Sequence, residues 1–245
     1  MLSVVDLDPG RANYYLSRGK YEYLQGEGAE LVWYGRGATA LGLVGTVREG
    51  DYRNLFQGFL RGKKLVQNAG KENHIAGKDL CFSAPKSVSS VWAVSDAKTR
   101  AIIESCQLRA VKKALDYLEE NATVVRTGKG GKERERAGLV AALAMHGTSR
   151  ADPPEPQLHT HATLFAVGVT PDGKTRSTVQ ELPFLFKMSG GSCYRCELAR
   201  QLEKEPGYRI YRPVEMVGAR EEKKSTFEIV DVPESLTGHR SSRSK

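Results

Sequence analysis

A His-Thr-His triplet inside an apolar stretch constrains this chain more than any other feature. Leu158 to Thr170 carries Leu158, Ala162, Leu164, Phe165, Val167 and Val169 before a turn at Pro171-Asp172-Gly173, which is the pattern of a long strand. Successive side chains of a strand alternate faces, so His159 and His161 point the same way with Cβ atoms ~6.5–7 Å apart. Gly138 to Met145 is a second apolar strand, and it ends at His146. With Gly147 to Leu158 as the connecting loop, this strand lies antiparallel to the first and brings a third imidazole to the pair.

Other segments follow from period and punctuation. Thr99 to Asn121 repeats apolar residues at i, i+3 and i+4 (Ile102, Ile103, Cys106, Ala110, Val111, Ala114, Leu115, Leu118), an amphipathic helix. Asp51 to Arg61 reads as a short helix, and Phe184 to Lys204 as a longer one that ends near Pro206-Gly207. Asp79 to Val94 reads as a strand interrupted by Pro85. Thr123 to Arg126, a turn at Gly128-Lys129-Gly130-Gly131 and Gly138 to Met145 read as a strand, loop, strand hairpin. This order predicts an α+β fold, a central antiparallel sheet carrying helices on one side.

Composition narrows the function. With 40% hydrophobic and 27% charged residues over 245 positions, the chain builds its own core and is neither coiled coil nor disordered. Apolar runs stop well short of the ~20 residues of a membrane span, and no basic-then-apolar leader opens the chain, so the expectation is a cytoplasmic protein. The formal charge of +8 favours a polyanionic partner. Cys81, Cys106, Cys193 and Cys196 are too scattered for a disulfide scaffold and read as reduced thiols; Cys193 and Cys196 form one CxxC without a second to complete a zinc site.

His146, His159 and His161 are three of only five histidines. Three neutral imidazoles leave coordination positions open, as in a catalytic metal centre; the alternative is three polar residues on a half-exposed sheet. Tyr14 and Tyr15, then Tyr21 and Tyr23, cluster near the N-terminus. A phenol with pKa ~10 is about one part in a thousand ionised at pH 7, a deficit of ~4 kcal/mol, so a nucleophilic tyrosine needs a base or a metal nearby. Asp79 offers a carboxylate, either as that base or as the acceptor that fixes a histidine tautomer. Arg126, Lys129, Lys132, Arg134 and Arg136 crowd the Gly-rich hairpin, a solvated loop or a phosphate contact.

The segment from Asp79 through Phe82-Ser83-Ala84-Pro85-Lys86-Ser87-Val88-Ser89, then His146-Gly147-Thr148-Ser149-Arg150 and Pro156-Gln157-Leu158-His159-Thr160-His161, resembles the relaxase domain of MobF-type conjugative relaxases, the TrwC/TraI kind of HUH endonuclease. Asn13-Tyr14-Tyr15, Tyr34-Gly35-Arg36-Gly37-Ala38 and Glu197-Leu198-Ala199 are similar to that family as well. The resemblance implies nicking and rejoining of single-stranded DNA at a plasmid transfer origin through a 5′-phosphotyrosine link. It implies Tyr14 as first nucleophile, Asp79 as acidic partner, and His146, His159 and His161 as ligands of a divalent ion.

Mg²⁺ or Mn²⁺ is expected from availability, and Ni²⁺, Cu²⁺ or Zn²⁺ from imidazole preference. Lys86 and Arg150, inside matched motifs, are expected to hold the DNA backbone near the scissile bond. Further expected partners are transfer-origin hairpin DNA and other relaxosome or secretion-coupling proteins, with the chain a monomer that is exported with DNA. Tyr21-Glu22-Tyr23 stands where the family has its second tyrosine pair, which leaves open which of the two makes a second strand transfer. The domain is expected over residues 1–226, with 227–245 the start of incomplete helical fingers. A rolling-circle initiator of the HUH class is the alternative, although its tyrosine follows the histidine motif in sequence; a silent module that binds single-stranded DNA is another.

Overall fold

The computed structural model describes residues 1–7, 30–149, 153–212, 214–217, 220–223 and 226–233. Tyr14, Tyr15, Tyr21, Tyr23, Arg150 and the tail from residue 234 lie outside the described residues.

Two long strands, β8 (Gly138–Thr148) and β9 (Pro156–Val169), form the middle of the main sheet. Beside them run β1 (Leu2–Leu7), β2 (Val32–Tyr34) and β5 (Gly77–Ser83), in the order β1-β5-β9-β8-β2, every pair antiparallel, with β10 (Thr175–Ser177) returning on β9. The central strands are apolar along most of their length because both faces of the sheet are covered.

On one face lie the two long helices, α4 (Ala97–Ala122) and α6 (Lys187–Lys204). Ile103, Ala110, Leu115, Tyr194 and Leu198 meet Leu80, Phe82, Leu143, Leu158 and Ala162 there. Buried Gln107 ties these layers: its Nε2 donates to the Phe82 carbonyl at 3.0 Å, and its Oε1 accepts from the Tyr194 hydroxyl at 2.6 Å. Burial holds the Tyr194 phenol protonated far above its ordinary range. α4 begins at an N-cap, Asp96, whose carboxylate accepts the Thr99 N–H at 2.8 Å.

The other face is covered too. The short helices α1 (Arg36–Ala40) and α2 (Glu49–Phe56) bring Ala38, Tyr52, Leu55 and Phe56 against Val140, Ala142, Phe165 and Val167. Helices on one side only is therefore corrected to long helices on one side and a smaller helical cluster on part of the other. Buried Glu119 on α4 fastens α1 to the sheet: its carboxylate accepts the Arg36 N–H at 2.9 Å and the Leu139 N–H at 2.7 Å, and it pairs with the Arg36 guanidinium.

Four segments differ from the sequence pattern. Asp79 to Val94 is a strand only up to Ser83; beyond Pro85 it is the helix α3 (Lys86–Val94). Its β-branched, serine-rich sequence favours a strand locally, but Val88 packs into the main core while Ser87 and Ser89 anchor neighbouring segments, and tertiary contact decides. Val124–Thr127 (β6) does not pair with β8: it pairs with Glu133–Arg136 (β7) in a separate ribbon. The helix expected from Phe184 is two pieces, α5 (Leu182–Leu185) and α6, meeting at Phe186. The helix expected over Asp51 to Arg61 ends at Phe56, and Phe59–Leu60 (β3) pairs with Lys63–Lys64 (β4).

His74, between β4 and β5, is only 5% exposed, and burial lowers its pKa despite a contact with the Phe56 backbone. A base whose folded pKa lies below its unfolded value of ~6.5 contributes its full stability above that value, and loses it as pH falls through the folded pKa. The urea midpoint should therefore fall as pH drops below about 6.5, and His74→Gln should flatten that part of the profile; equal slopes in both proteins would exclude His74 as the source.

Candidate active site

The site is built by strand register. His146 on β8 lies directly opposite His159 on β9, and His161 lies opposite Cys81 on β5, with Ser83 opposite His159. Directly opposed residues of antiparallel strands share a face, so the three imidazoles, Cys81 and Ser83 all project from the face away from the long helices. The three rings converge: centroids are 5.2 Å apart for His146 and His159, 5.5 Å for His146 and His161, and 5.1 Å for His159 and His161. His146 is buried, and the other two are partly open.

Each partly open ring is fixed through Nδ1. That of His161 contacts both carboxylate oxygens of Asp79 at 2.9 Å, and that of His159 hydrogen-bonds the Gln157 carbonyl at 2.8 Å. Both contacts leave Nε2 as the nitrogen able to hold a cation, the arrangement that orients metal-binding histidines in general. Burial alone would lower the His161 pKa, but the hydrogen bonds to Asp79 and Cys81 and their charges outweigh it and raise it to about 10. Asp79 is itself only 4% exposed. With both oxygens turned onto His161 it is placed to orient that ring.

The motif around Pro85 buttresses this face. Ser89 Oγ accepts the Leu158 N–H at 3.1 Å, and the Ala84 N–H donates to the Leu158 carbonyl at 3.0 Å, both next to His159. Ser87 Oγ bonds Glu228 and accepts the Ile229 N–H at 2.9 Å, which pins the short strand Glu228–Ile229 against the start of α3. Lys86 pairs with Glu155 at 3.2 Å, at the edge of the spacer before β9. Beside His146, only glycine fits at 147: a Cβ there would lie 2.2 Å from the Trp92 ring.

The basic hairpin stands elsewhere. From Gly138 to His146 is eight strand steps, roughly 26 Å, so the β6–β7 ribbon, joined to the far end of β8, is remote from the imidazoles. Its charges are sorted by strand period. Arg126 and Arg134 are directly opposed and share one face with Arg136, whereas Glu133 and Glu135 point to the other. Arg126, Lys129, Lys132, Arg134 and Arg136 are all exposed. Like charges directly opposed destabilise a ribbon unless an anion lies between them.

The sequence profile of the TrwC relaxase matches residues 9–245. The chain belongs to the TrwC relaxase family. It is 35% identical over 202 residues to the multifunctional conjugation protein TraI of Escherichia coli strain K12, which covers 78% of this chain and 11% of TraI. A second Escherichia coli TraI is 33% identical over 212 residues, 82% of this chain and 12% of that protein. The chain thus spans about a tenth of the length of these relatives.

Among solved structures, conjugative relaxase TrwC in complex with oriT DNA is similar in its copper-bound form (TM-score 0.79, 29% identity, 97% of this chain and 79% of that one). Its metal-bound form gives a TM-score of 0.80 at 30% identity, over 100% of this chain and 80% of that one. The likeness to TrwC accounts for the antiparallel sheet with helices. No helix among the described residues is long and apolar enough to cross a membrane.

The three histidines were legible from spacing, but the cysteine beside them was not. Cys81 lies with His159 and His161 so that their ligand atoms are all within 4.8 Å of one another. Period two counted from Asp79 puts Cys81 and Ser83 on the face of the imidazoles, and that is the signal that marks it. Cys193 and Cys196 gather no third ligand among the described residues.

Proposed function

We propose that this chain is a metal-assisted strand transferase that nicks and rejoins single-stranded DNA at a transfer origin, as a relaxase domain. The convergence of the three imidazoles on one partly open face, with Asp79 fixing the outer ring, supports it. The fit to a divalent cation rests on the donor set: three nitrogen ligands from two neighbouring strands, two of them already oriented through Nδ1. Held by His146, His159 and His161, the ion would supply positive charge to offset that developing on the scissile phosphate oxygens.

The remaining work falls to the chain's own residues. Tyr14 attacks phosphorus; the bond from its oxygen to phosphorus forms as the bond to the 3′ oxygen breaks. The phenol proton leaves to solvent, the departing oxygen takes one up, and reversal rejoins the strand. Asp79 keeps the His161 ring turned so that Nε2 faces the phosphate site. Tyr15, Tyr21 and Tyr23 are candidates for a second transfer. Lys86, close after β5, and Arg150 hold the backbone beside the cut, and Glu155 yields Lys86 to a phosphate at little cost because that ion pair is half exposed.

Arg126, Arg134 and Arg136 on one face of the ribbon, with Lys129 and Lys132 at its turn, take phosphates of a hairpin stem some 26 Å away. Origin hairpin DNA and single-stranded DNA are then one continuous ligand along the sheet; one solved TrwC complex is named for a 27-mer DNA comprising the recognition hairpin and the cleavage site.

Incubation with labelled single-stranded oligonucleotides from candidate transfer origins and Mn²⁺, followed by a denaturing gel, tests this. A protein-linked fragment is expected, lost with chelator and lost in Tyr14→Phe. An adduct that survives Tyr14→Phe would move the nucleophile to another tyrosine, and its absence from every origin would leave a binding module.

A further inference from the structure

We propose that Cys81 is a fourth protein donor to the ion held by the three histidines, so that this site selects a zinc-class cation over Mg²⁺ or Mn²⁺. The inference rests on the metal site proposed above and concerns which ion it takes.

The geometry carries it. Cys81 stands on β5 directly opposite His161 on β9, which places its Sγ on the imidazole face. The ligand atoms of Cys81, His159 and His161 lie within 4.8 Å of one another. Neighbouring donors around a tetrahedral ion with Zn–N ~2.0 Å and Zn–S ~2.3 Å are about 3.4–3.6 Å apart, so closure of these three asks for roughly an ångström of side-chain movement. The His146 ring, with its centroid 5.2 and 5.5 Å from those of His159 and His161, is the remaining donor. The thiol is half buried, and Ser83 Oγ, 3.6 Å from Sγ, is one neighbour with which it exchanges a weak hydrogen bond, His161 being another. Nothing covalent holds it back, since it is a free cysteine.

Chemistry supplies the selectivity. Imidazole is a borderline ligand that tolerates many ions, whereas a thiolate strongly favours soft and borderline cations and contributes little to Mg²⁺. Binding removes the thiol proton to solvent, and the thiolate adds a negative charge that lowers the net charge of the site. Four protein donors fill a tetrahedral shell. A zinc-class ion so held would still have room for a fifth ligand.

Co²⁺ titration of the metal-free chain, read by absorption spectroscopy, tests this with an ion whose colour reports its ligands. The expected result is a near-ultraviolet sulfur-to-cobalt charge-transfer band in the parent chain, absent in Cys81→Ser and retained in a Cys193→Ser, Cys196→Ser double variant. Zn²⁺ affinity of Cys81→Ser should fall on the order of 100-fold, with Mn²⁺ affinity unchanged. Bound Co²⁺ with visible d–d absorption but no charge-transfer band in the parent chain would overturn the proposal and leave the three-histidine site standing. That spectrum requires no variant to fold. Failure of the parent chain to bind Co²⁺ at all would overturn both.

Discussion

His159→Ala should abolish retention of a divalent ion and slow strand cleavage by about 10²–10³-fold, with a melting temperature close to that of the parent chain. The ring is partly open, and its Nδ1 bonds the carbonyl of Gln157, itself partly exposed, so water replaces that contact. His161→Ala is the less informative change. It strips Asp79, 4% exposed, of the imidazole that both its oxygens face, and an uncompensated buried charge costs roughly 3–5 kcal/mol. Activity and fold would then be lost together. Equilibrium dialysis with Mn²⁺, single-turnover cleavage and a thermal melt on the same preparation separate the two cases. Parent-like metal retention in His159→Ala would remove that ring from the site.

The second large effect is on stability. Phe165 is fully buried on β9, with Trp33, Tyr52 and Phe56 rings at 6.1, 5.4 and 5.6 Å. Two of these contacts are edge-to-face, the favoured arrangement of aromatic pairs. Phe165→Ala should cost about 3–5 kcal/mol by urea unfolding, since three rigid rings cannot all close on the cavity. The loss propagates toward the site, because the Tyr52 hydroxyl bonds Thr163 Oγ1 at 2.8 Å, and Thr163 lies two residues from His161 on the same face. A loss under about 1 kcal/mol would show that the small helical cluster adds little to the folding of the sheet.

The long elements were legible because each carries many periods of one pattern. Ala97–Ala122 buries Ile103, Cys106, Ala110, Val111, Leu115 and Leu118 as a single stripe, and β9 holds its two histidines in alternation. The segment after Pro85 was not legible. Ser-Val-Ser-Ser-Val-Trp is locally a strand sequence, and the packing of Val88 into the core with the serine contacts to Leu158 and Glu228, far away in the chain, makes it a helix. Pairing of β6 with β8 failed for a related reason: proximity in sequence favours a hairpin, but the Glu133–Arg136 stretch, too polar to stand out, is the partner that lets β8 enter the core. Cys81 was hidden by composition, since a thiol in an apolar strand ordinarily packs. The register that brings it opposite His161 depends on residues 80 positions away in the chain.

The proposed function requires one cation held among His146, His159 and His161. Anomalous diffraction from crystals soaked in Mn²⁺ or Zn²⁺ measures it most directly. A single strong peak bonded at about 2.0–2.2 Å to a nitrogen of each of the three rings is expected, with Asp79 still on the Nδ1 of His161. A peak elsewhere, or three rings that turn away from any ion, would contradict it.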